Sequence, residues 1–166
     1  LELVPGPRDR HGHPEFIRRW IDRLTARSPE DASPVNLVYG PSGCGKSSLV
    51  KAGILPRLPA SVQSVYVEAA AEDTPRRILE ALDASGPAVG PSPDLAAVLT
   101  RHRRGTKPKL LLVIDQFEQW LHGVRDFENA PLTQALRQCD GTRVQALLIV
   151  RDDFWLATSR LMHGLE

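Results

Sequence analysis

The residues from Gly40 to Ser47 have the types and spacing of a loop that binds phosphate groups. They read GPSGCGKS and fit the pattern G-x-x-x-x-G-K-[ST]. Glycines let the backbone curl tightly and turn its N–H groups toward an anion. Lys46 would bring a positive charge to the β and γ phosphates of a nucleoside triphosphate, and the Ser47 hydroxyl could ligate Mg²⁺. The candidate phosphate-binding residues are Gly40, Pro41, Ser42, Gly43, Cys44, Gly45, Lys46, Ser47 and Ser48.

Acidic residues at the end of an apolar run would complete such a site. Residues 110–114 are wholly apolar and are followed at once by Asp115. A strand of this kind should end at the carboxyl edge of a sheet, where ligands bind in open α/β folds. We therefore expect Asp115 to help hold Mg²⁺ opposite Ser47, as a Walker B aspartate. Glu118 is a candidate for orienting or deprotonating the attacking water; the alternative is an exposed glutamate on a helix.

A basic residue follows a second apolar run. Residues 146–150 are apolar and Arg151 comes next. In a parallel sheet its side chain would lie at the same edge as Asp115, where an arginine can sense the γ-phosphate and stabilise the charge of the transition state. The alternative is an ion pair with Asp152 or Asp153.

Strands and helices alternate along the sequence in a way that would bring these residues together. This alternation predicts an α/β fold of three layers, a phosphate-loop NTPase core with a mainly parallel sheet flanked by helices. Apolar runs predict strands at 35–39, 62–67, 110–114 and 146–150. Periodicity and capping residues predict helices at 15–27, from 46 to 52 or 53, from 74 to 83, from a cap at Ser92 or Asp94 to 102, and at 131–139. The basic stretch 101–109 is expected to be a solvated loop.

The length and composition fit one globular core. The chain has 166 residues, of which 42% are hydrophobic and 25% charged, as in ordinary globular domains. We expect residues 1–34 to form a lead-in segment with one amphipathic helix. Residues 35–166 would form the phosphate-loop core.

Charge and cysteine usage narrow the choice of partner and compartment. The net charge is +1, so composition gives no case for a nucleic-acid or membrane partner. No apolar run approaches the roughly 20 residues of a membrane helix, and the start lacks the pattern of a signal peptide. Cys44 and Cys139 match no metal-binding spacing, and a reducing, cytoplasmic location is expected. The chain does not begin with Met, and we expect it to be a piece of a longer protein.

The three motif segments together resemble the novel STAND NTPases, which are signal-transducing ATPases with numerous domains. The segments are GPSGCGKSSLVKAGILPRL, LLLVIDQFEQW and ALLIVRDDFW. They occur in the order that the family shows, and the resemblance runs from about Val35 to Leu156. Each segment after the phosphate loop is unspecific alone, whereas the combination is fairly specific.

The resemblance implies a fold in which an extra strand lies between the two Walker strands and the 62–67 strand lies at or near the sheet edge. It implies Asp115 as the Mg²⁺ partner, Glu118 as the catalytic acid–base residue and Arg151 as the sensor. It also implies an ATP/ADP switch between an effector and a repeat-bearing sensor outside this chain. ATP would promote self-association, and hydrolysis or bound ADP would keep the protein off.

Two departures from the family pattern accompany the resemblance. Relatives carry a Gly-Arg-x-x-Glu element before the phosphate loop, which helps to hold the adenosine. Here the nearest counterpart is Gly6-Pro7-Arg8-Asp9-Arg10, which makes Arg8 a candidate adenosine contact. The sequence also ends before the expected fifth strand and helical lid, so a slow ATPase rate is expected from this piece.

Other functions are compatible with a phosphate loop. One is a small-molecule kinase, which would need an acceptor pocket and an arginine-rich lid. Another is a nucleotide-binding scaffold without turnover. A GTPase is disfavoured because no Asn-Lys-x-Asp element for reading guanine occurs.

Overall fold

A parallel four-stranded sheet forms the centre of the protein, in a computed structural model that describes residues 7, 14–83 and 94–165. Its strands are β1 (Val35–Gly40), β2 (Val62–Glu68), β3 (Lys109–Asp115) and β4 (Val144–Arg151). Their order is β1-β4-β3-β2, and every neighbouring pair runs parallel. An extra strand therefore separates the two Walker strands and β2 lies at the edge, as expected.

Both faces of the sheet are covered, which explains why its central strands are apolar throughout. Successive side chains of a strand point to opposite faces. In β3, Leu110, Leu112 and Ile114 enter one core cluster, whereas Leu111 and Val113 enter the other. All residues of β3 are buried. Such continuous burial is typical of a parallel sheet between helices, and it confirms the three-layer α/β fold.

The helices divide between the two faces. One layer contains α1 and the helix after the phosphate loop, whose Leu24, Val50 and Ile54 share a cluster with Val38 of β1. The helices of the other layer contribute residues such as Ile78, Leu99, Leu132 and Leu161. The helices are α1 (Glu15–Thr25), α2 (Lys46–Ser48), α3 (Thr74–Asp83), α4 (Leu95–Arg104), α5 (Glu118–Gly123), α6 (Pro131–Leu136) and α7 (Trp155–His163). None of the helices in the described ranges is long and apolar enough to cross a membrane.

The helix that leaves the phosphate loop is longer and less regular than expected. After α2 the chain continues as a π-helical segment (Leu49–Ile54) and a short 3-10 helix (Leu55–Arg57). Pro56 lies in the first turn of the 3-10 segment, where the missing N–H is tolerated. Arg57 donates to the carbonyls of Ala52 and Gly53 and satisfies the helix end.

Other expected boundaries shift as well. The solvated loop expected at 101–109 is wrong at both ends, because α4 extends to Arg104 and Lys109 is a buried residue of β3. Asp94 caps α4 by accepting from the Ala96 N–H at 3.2 Å, while Ser92 and Arg8 lie outside the described residues. Helix α6 ends at Leu136 rather than at residue 139.

Candidate functional site

The phosphate loop joins β1 to α2 at the carboxyl edge of the sheet. Gly43 and Gly45 have φ values of +75° and +89°, a left-handed conformation that L side chains rarely adopt. A Cβ on Gly40 would lie 3.1 Å from the sulfur of Cys44, which is closer than most side-chain contacts, so the loop is tightly packed at this residue. The loop is thus an open backbone cradle of the shape that phosphate groups need.

Lys46 lies across the start of this loop. Its Nζ donates to the carbonyl oxygens of Gly40 at 2.6 Å and Pro41 at 2.7 Å. The first residue of α2 thereby positions its charge beside the loop backbone. An ammonium with three donors can exchange such carbonyl partners for phosphate oxygens.

Asp115 lies at the end of β3, as expected, and is held from two sides. The residue is 2% exposed. Its Oδ1 accepts the Gln116 N–H at 2.8 Å, and its Oδ2 accepts the Tyr66 hydroxyl. Gln116 has a φ of +52°, which is uncommon for a residue other than glycine. This turn directs the chain from β3 into α5 and fixes where the Asp115 carboxylate points.

Tyr66 is the site residue that sequence reasoning missed. It pairs with Val113 across the β2–β3 ladder, so Asp115 is its diagonal neighbour on the same face, within reach of an aromatic side chain. Burial, then the hydrogen bond and charge of Asp115, raise the pKa of the Tyr66 phenol, while a side-chain hydrogen bond with Ser47 acts in the opposite direction. The phenol therefore remains a neutral donor at physiological pH. The available signal was the tyrosine's position shortly before the end of a strand next to β3.

Glu118 and Arg151 also meet at this edge. Glu118, at the start of α5, is only 7% exposed, which differs from the exposed helical position that was the alternative. Its Oε2 accepts the backbone N–H of Arg151 at 3.3 Å. The Arg151 guanidinium makes a two-point ion pair with Asp153, with Nε–Oδ1 at 3.1 Å and Nη2–Oδ2 at 2.6 Å. The backbone of Arg151 faces the site, while its side chain has the partner named in the alternative.

The sheet register links these groups. Gly40 pairs with Arg151 between β1 and β4, and Glu68 pairs with Asp115 between β2 and β3. Between β3 and β4, Ile114 pairs with Leu148, so Asp115 ends β3 at the level of Ile149, two residues before Arg151. The loop start, Arg151 and Asp115 therefore lie at the same carboxyl edge of the sheet. The sensor role of Arg151 and the catalytic role of Glu118 remain predictions.

Comparison with known protein families shows to which family the chain belongs. Residues 11–165 match the model of the family described as Novel STAND NTPase 1. The chain belongs to this family. The matched residues include the phosphate loop, Asp115 and Arg151. Membership in this NTPase family indicates that the chain binds a nucleotide. A search among curated proteins finds no match.

Solved structures similar to this STAND NTPase chain share its fold. One is a chain in the structure of Drosophila ORC bound to DNA, with 20% identity and a TM-score of 0.59 over 86% of this chain and 37% of that one. Cdc6p from Pyrobaculum aerophilum has 16% identity and a TM-score of 0.54 over 99% and 45%. A Walker-type ATPase of Pyrococcus abyssi has 14% identity and a TM-score of 0.51 over 99% and 51%. This chain thus spans about half or less of each.

The donor set of the STAND NTPase site fits magnesium. Ser47 and Asp115 offer a hydroxyl and a carboxylate, and the carboxylate accepts the Tyr66 phenol. Mg²⁺ prefers such oxygen donors and is usually held by one or two carboxylates together with phosphates and water. Among the residues that the structure describes, no cluster of three or more His, Cys, Asp or Glu side chains could hold a metal alone.

Proposed function

We propose that this chain is the ATP-binding, ATP-hydrolysing switch module of a multidomain signal-transduction protein. The observation that carries the proposal is the common edge of the strand ends. The loop start at Gly40 pairs with Arg151, Asp115 ends the neighbouring β3, and Glu118 accepts the Arg151 N–H. Phosphate-binding, metal-binding and acid–base groups thereby share one edge of the sheet, where open α/β folds bind ligands.

Each residue has a distinct part in this proposal. The loop N–H groups and Lys46 bind the phosphates of ATP, and Ser47 and Asp115 hold magnesium, which neutralises phosphate charge when bound. Glu118 orients a water and takes its proton as the water oxygen attacks the γ-phosphorus, while the bond from phosphorus to the β,γ-bridging oxygen breaks and ADP leaves. Arg151 exchanges its Asp153 partner for the γ-phosphate and stabilises the charge that develops during transfer.

In this proposal, the bound nucleotide also controls parts of the full-length protein that lie outside this chain. ATP favours self-association of the full-length protein, and ADP favours the inactive form. Effector and sensor domains would be linked to this module, and the protein would act in the cytoplasm. The family membership supports the nucleotide-dependent part of the proposal.

Phosphate release without any added acceptor tests the proposal. We expect Glu118→Gln to lower ATP turnover by about 100-fold or more, which is the range of general acid–base catalysis, while Mg-ATP binding stays within about twofold. Glu30→Gln, at an exposed loop position, is the control and should behave like the wild type. Equal turnover in all three proteins would contradict the role of Glu118.

The same assay separates the alternative functions. Binding of Mg-ATP without any phosphate release would favour a scaffold without turnover. Phosphate transfer that needs an added small-molecule acceptor would favour a kinase. Steady release of phosphate to water, lost in Glu118→Gln, is the result that the proposal predicts.

A further inference from the structure

The Tyr66 side chain lies beside Asp115, one of the two candidate metal ligands. Its hydroxyl donates to Oδ2 of Asp115. The other carboxylate oxygen, Oδ1, is bound by the Gln116 N–H. The orientation of the Asp115 carboxylate is therefore set by one backbone donor and one phenol.

The tyrosine ring is itself held in place. The Nζ of Lys51, on the helical segment after the phosphate loop, lies 4.5 Å from the ring centroid. The same ammonium forms an ion pair at 3.5 Å with Glu68, the last residue of β2. A cation over the ring face favours this position of the phenol.

Packing alone does not explain the hydroxyl. Tyr66 is half-buried on the edge strand β2, and a phenylalanine would contact the same part of the neighbouring core. What the hydroxyl adds is the bond to Asp115. Donors that bind the outer side of a metal-ligating carboxylate fix its direction, and their removal commonly weakens metal binding by 10- to 100-fold.

We propose that Tyr66 is a positioning residue of the magnesium site, which orients the Asp115 carboxylate. This inference rests on the proposed binding of Mg-ATP at the phosphate loop. Tyr66 does not ligate the metal. It sets how readily the carboxylate accepts the metal, so its loss affects the metal requirement and not the phosphate cradle.

Titration of Mg²⁺ into the complex of the protein with a fluorescent ATP analogue tests the inference. We expect Tyr66→Phe to raise the Mg²⁺ concentration for half-saturation by about tenfold. Affinity for the analogue in EDTA should stay within about twofold of the wild type. Tyr39→Phe is the matched control, because Tyr39 is exposed on β1 and contacts Trp155 instead. An unchanged or tighter Mg²⁺ requirement in Tyr66→Phe would overturn the inference.

A double-mutant cycle tests whether the effect passes through Asp115. Binding of Mn²⁺ is measured by the loss of the EPR signal of the free ion. Asp115→Asn should weaken Mn²⁺ binding, and adding Tyr66→Phe to this variant should weaken the binding little further. Fully additive losses would contradict the positioning role. A wild type that binds no nucleotide with or without metal would overturn the proposed function and this inference together, whereas normal Mg-dependent binding in Tyr66→Phe would overturn this inference alone.

Discussion

The two cysteines of the chain have the same side chain in opposite environments. Cys44 lies in the phosphate loop and is exposed, whereas Cys139 follows the end of α6 and is buried. Neither cysteine forms a disulfide. Burial, followed by the charge of Asp140, raises the pKa of the Cys139 thiol to about 12. Because the thiolate is the nucleophile, these environments predict different reactivity.

Iodoacetamide at pH 8 should label Cys44 in the native protein and leave Cys139 unmodified. Mass spectrometry after digestion measures both rates in one sample. Mg-ATP should slow the labelling of Cys44, because the sulfur lies 3.8 Å from the Lys46 ammonium inside the loop. Equal labelling of the two cysteines in the folded protein would contradict the burial of Cys139.

Lys109 is a second residue whose environment changes its chemistry. It is fully buried at the start of β3, where Nζ donates to the Ala26 carbonyl at 2.7 Å. Burial lowers the pKa of Lys109 to about 8, although the charge of Asp140 opposes the change. Between pH 8 and 10.5 the unfolded chain retains a proton that the folded protein has released, so stability should rise with pH in this window.

The free energy of unfolding of the wild type should therefore increase between pH 7 and pH 10 relative to Lys109→Met. The difference should be a few kcal/mol at most, at about 1.4 kcal/mol per pKa unit. Urea unfolding of both proteins at the two pH values measures it. A parallel pH dependence in the two proteins would show that Lys109 is charged and solvated in the folded state.

At the scale of elements, α5 is positioned by a close approach to the loop after β2. A Cβ on Gly123, the last residue of α5, would lie 2.6 Å from the Ala71 Cβ and 2.8 Å from the Ala71 backbone. Backbone atoms cannot move aside as a flexible side chain can. The absence of a side chain at Gly123 therefore lets α5 dock, and Glu118 begins that helix.

Gly123→Ala should destabilise the protein by about 1–3 kcal/mol, the usual cost of overpacking. Gly105→Ala is the matched control, because its Cβ would meet no atom closer than 3.5 Å. The urea midpoint should fall for Gly123→Ala and stay near that of the wild type for Gly105→Ala. Equal midpoints for the two variants would contradict the close contact with Ala71.

The sequence predicts those elements best whose burial is visible in local pattern. The runs at 110–114 and 146–150 are apolar on both faces, and they are β3 and β4 at the centre of the sheet. The positions of Gly40 and Asp115 could be predicted in the same way, because each residue ends an apolar strand. Their grouping at one edge needs only parallel strands, which alternating helices impose.

Features that depend on distant contacts could not be predicted. The burial of Lys109 requires the Ala26 carbonyl, which comes from the far end of α1. The bond of Tyr66 to Asp115 spans two strands that are separated by two helices in sequence. Arg151 was correctly placed at the end of β4, but its guanidinium partner, Asp153, was one of two open possibilities.

At the scale of the whole molecule, the fold gathers its polar groups at one edge and leaves an apolar surface beside it. Tyr39 of β1 and Trp155 of α7 are 58% and 51% exposed, with their ring centroids 5.1 Å apart. Leu156, the next residue of α7, is also exposed.

Calorimetric titration with Mg-ATP tests the central claim, that the loop from Gly40 to Ser47 holds this nucleotide. The account predicts saturable binding by the wild type and about 100-fold weaker or undetectable binding by Lys46→Ala, which loses charge-assisted bonds to phosphate. Lys107→Ala, which removes an exposed lysine from the loop after α4, should bind as the wild type does. Equal affinity in Lys46→Ala and the wild type, with both folded, would contradict the account.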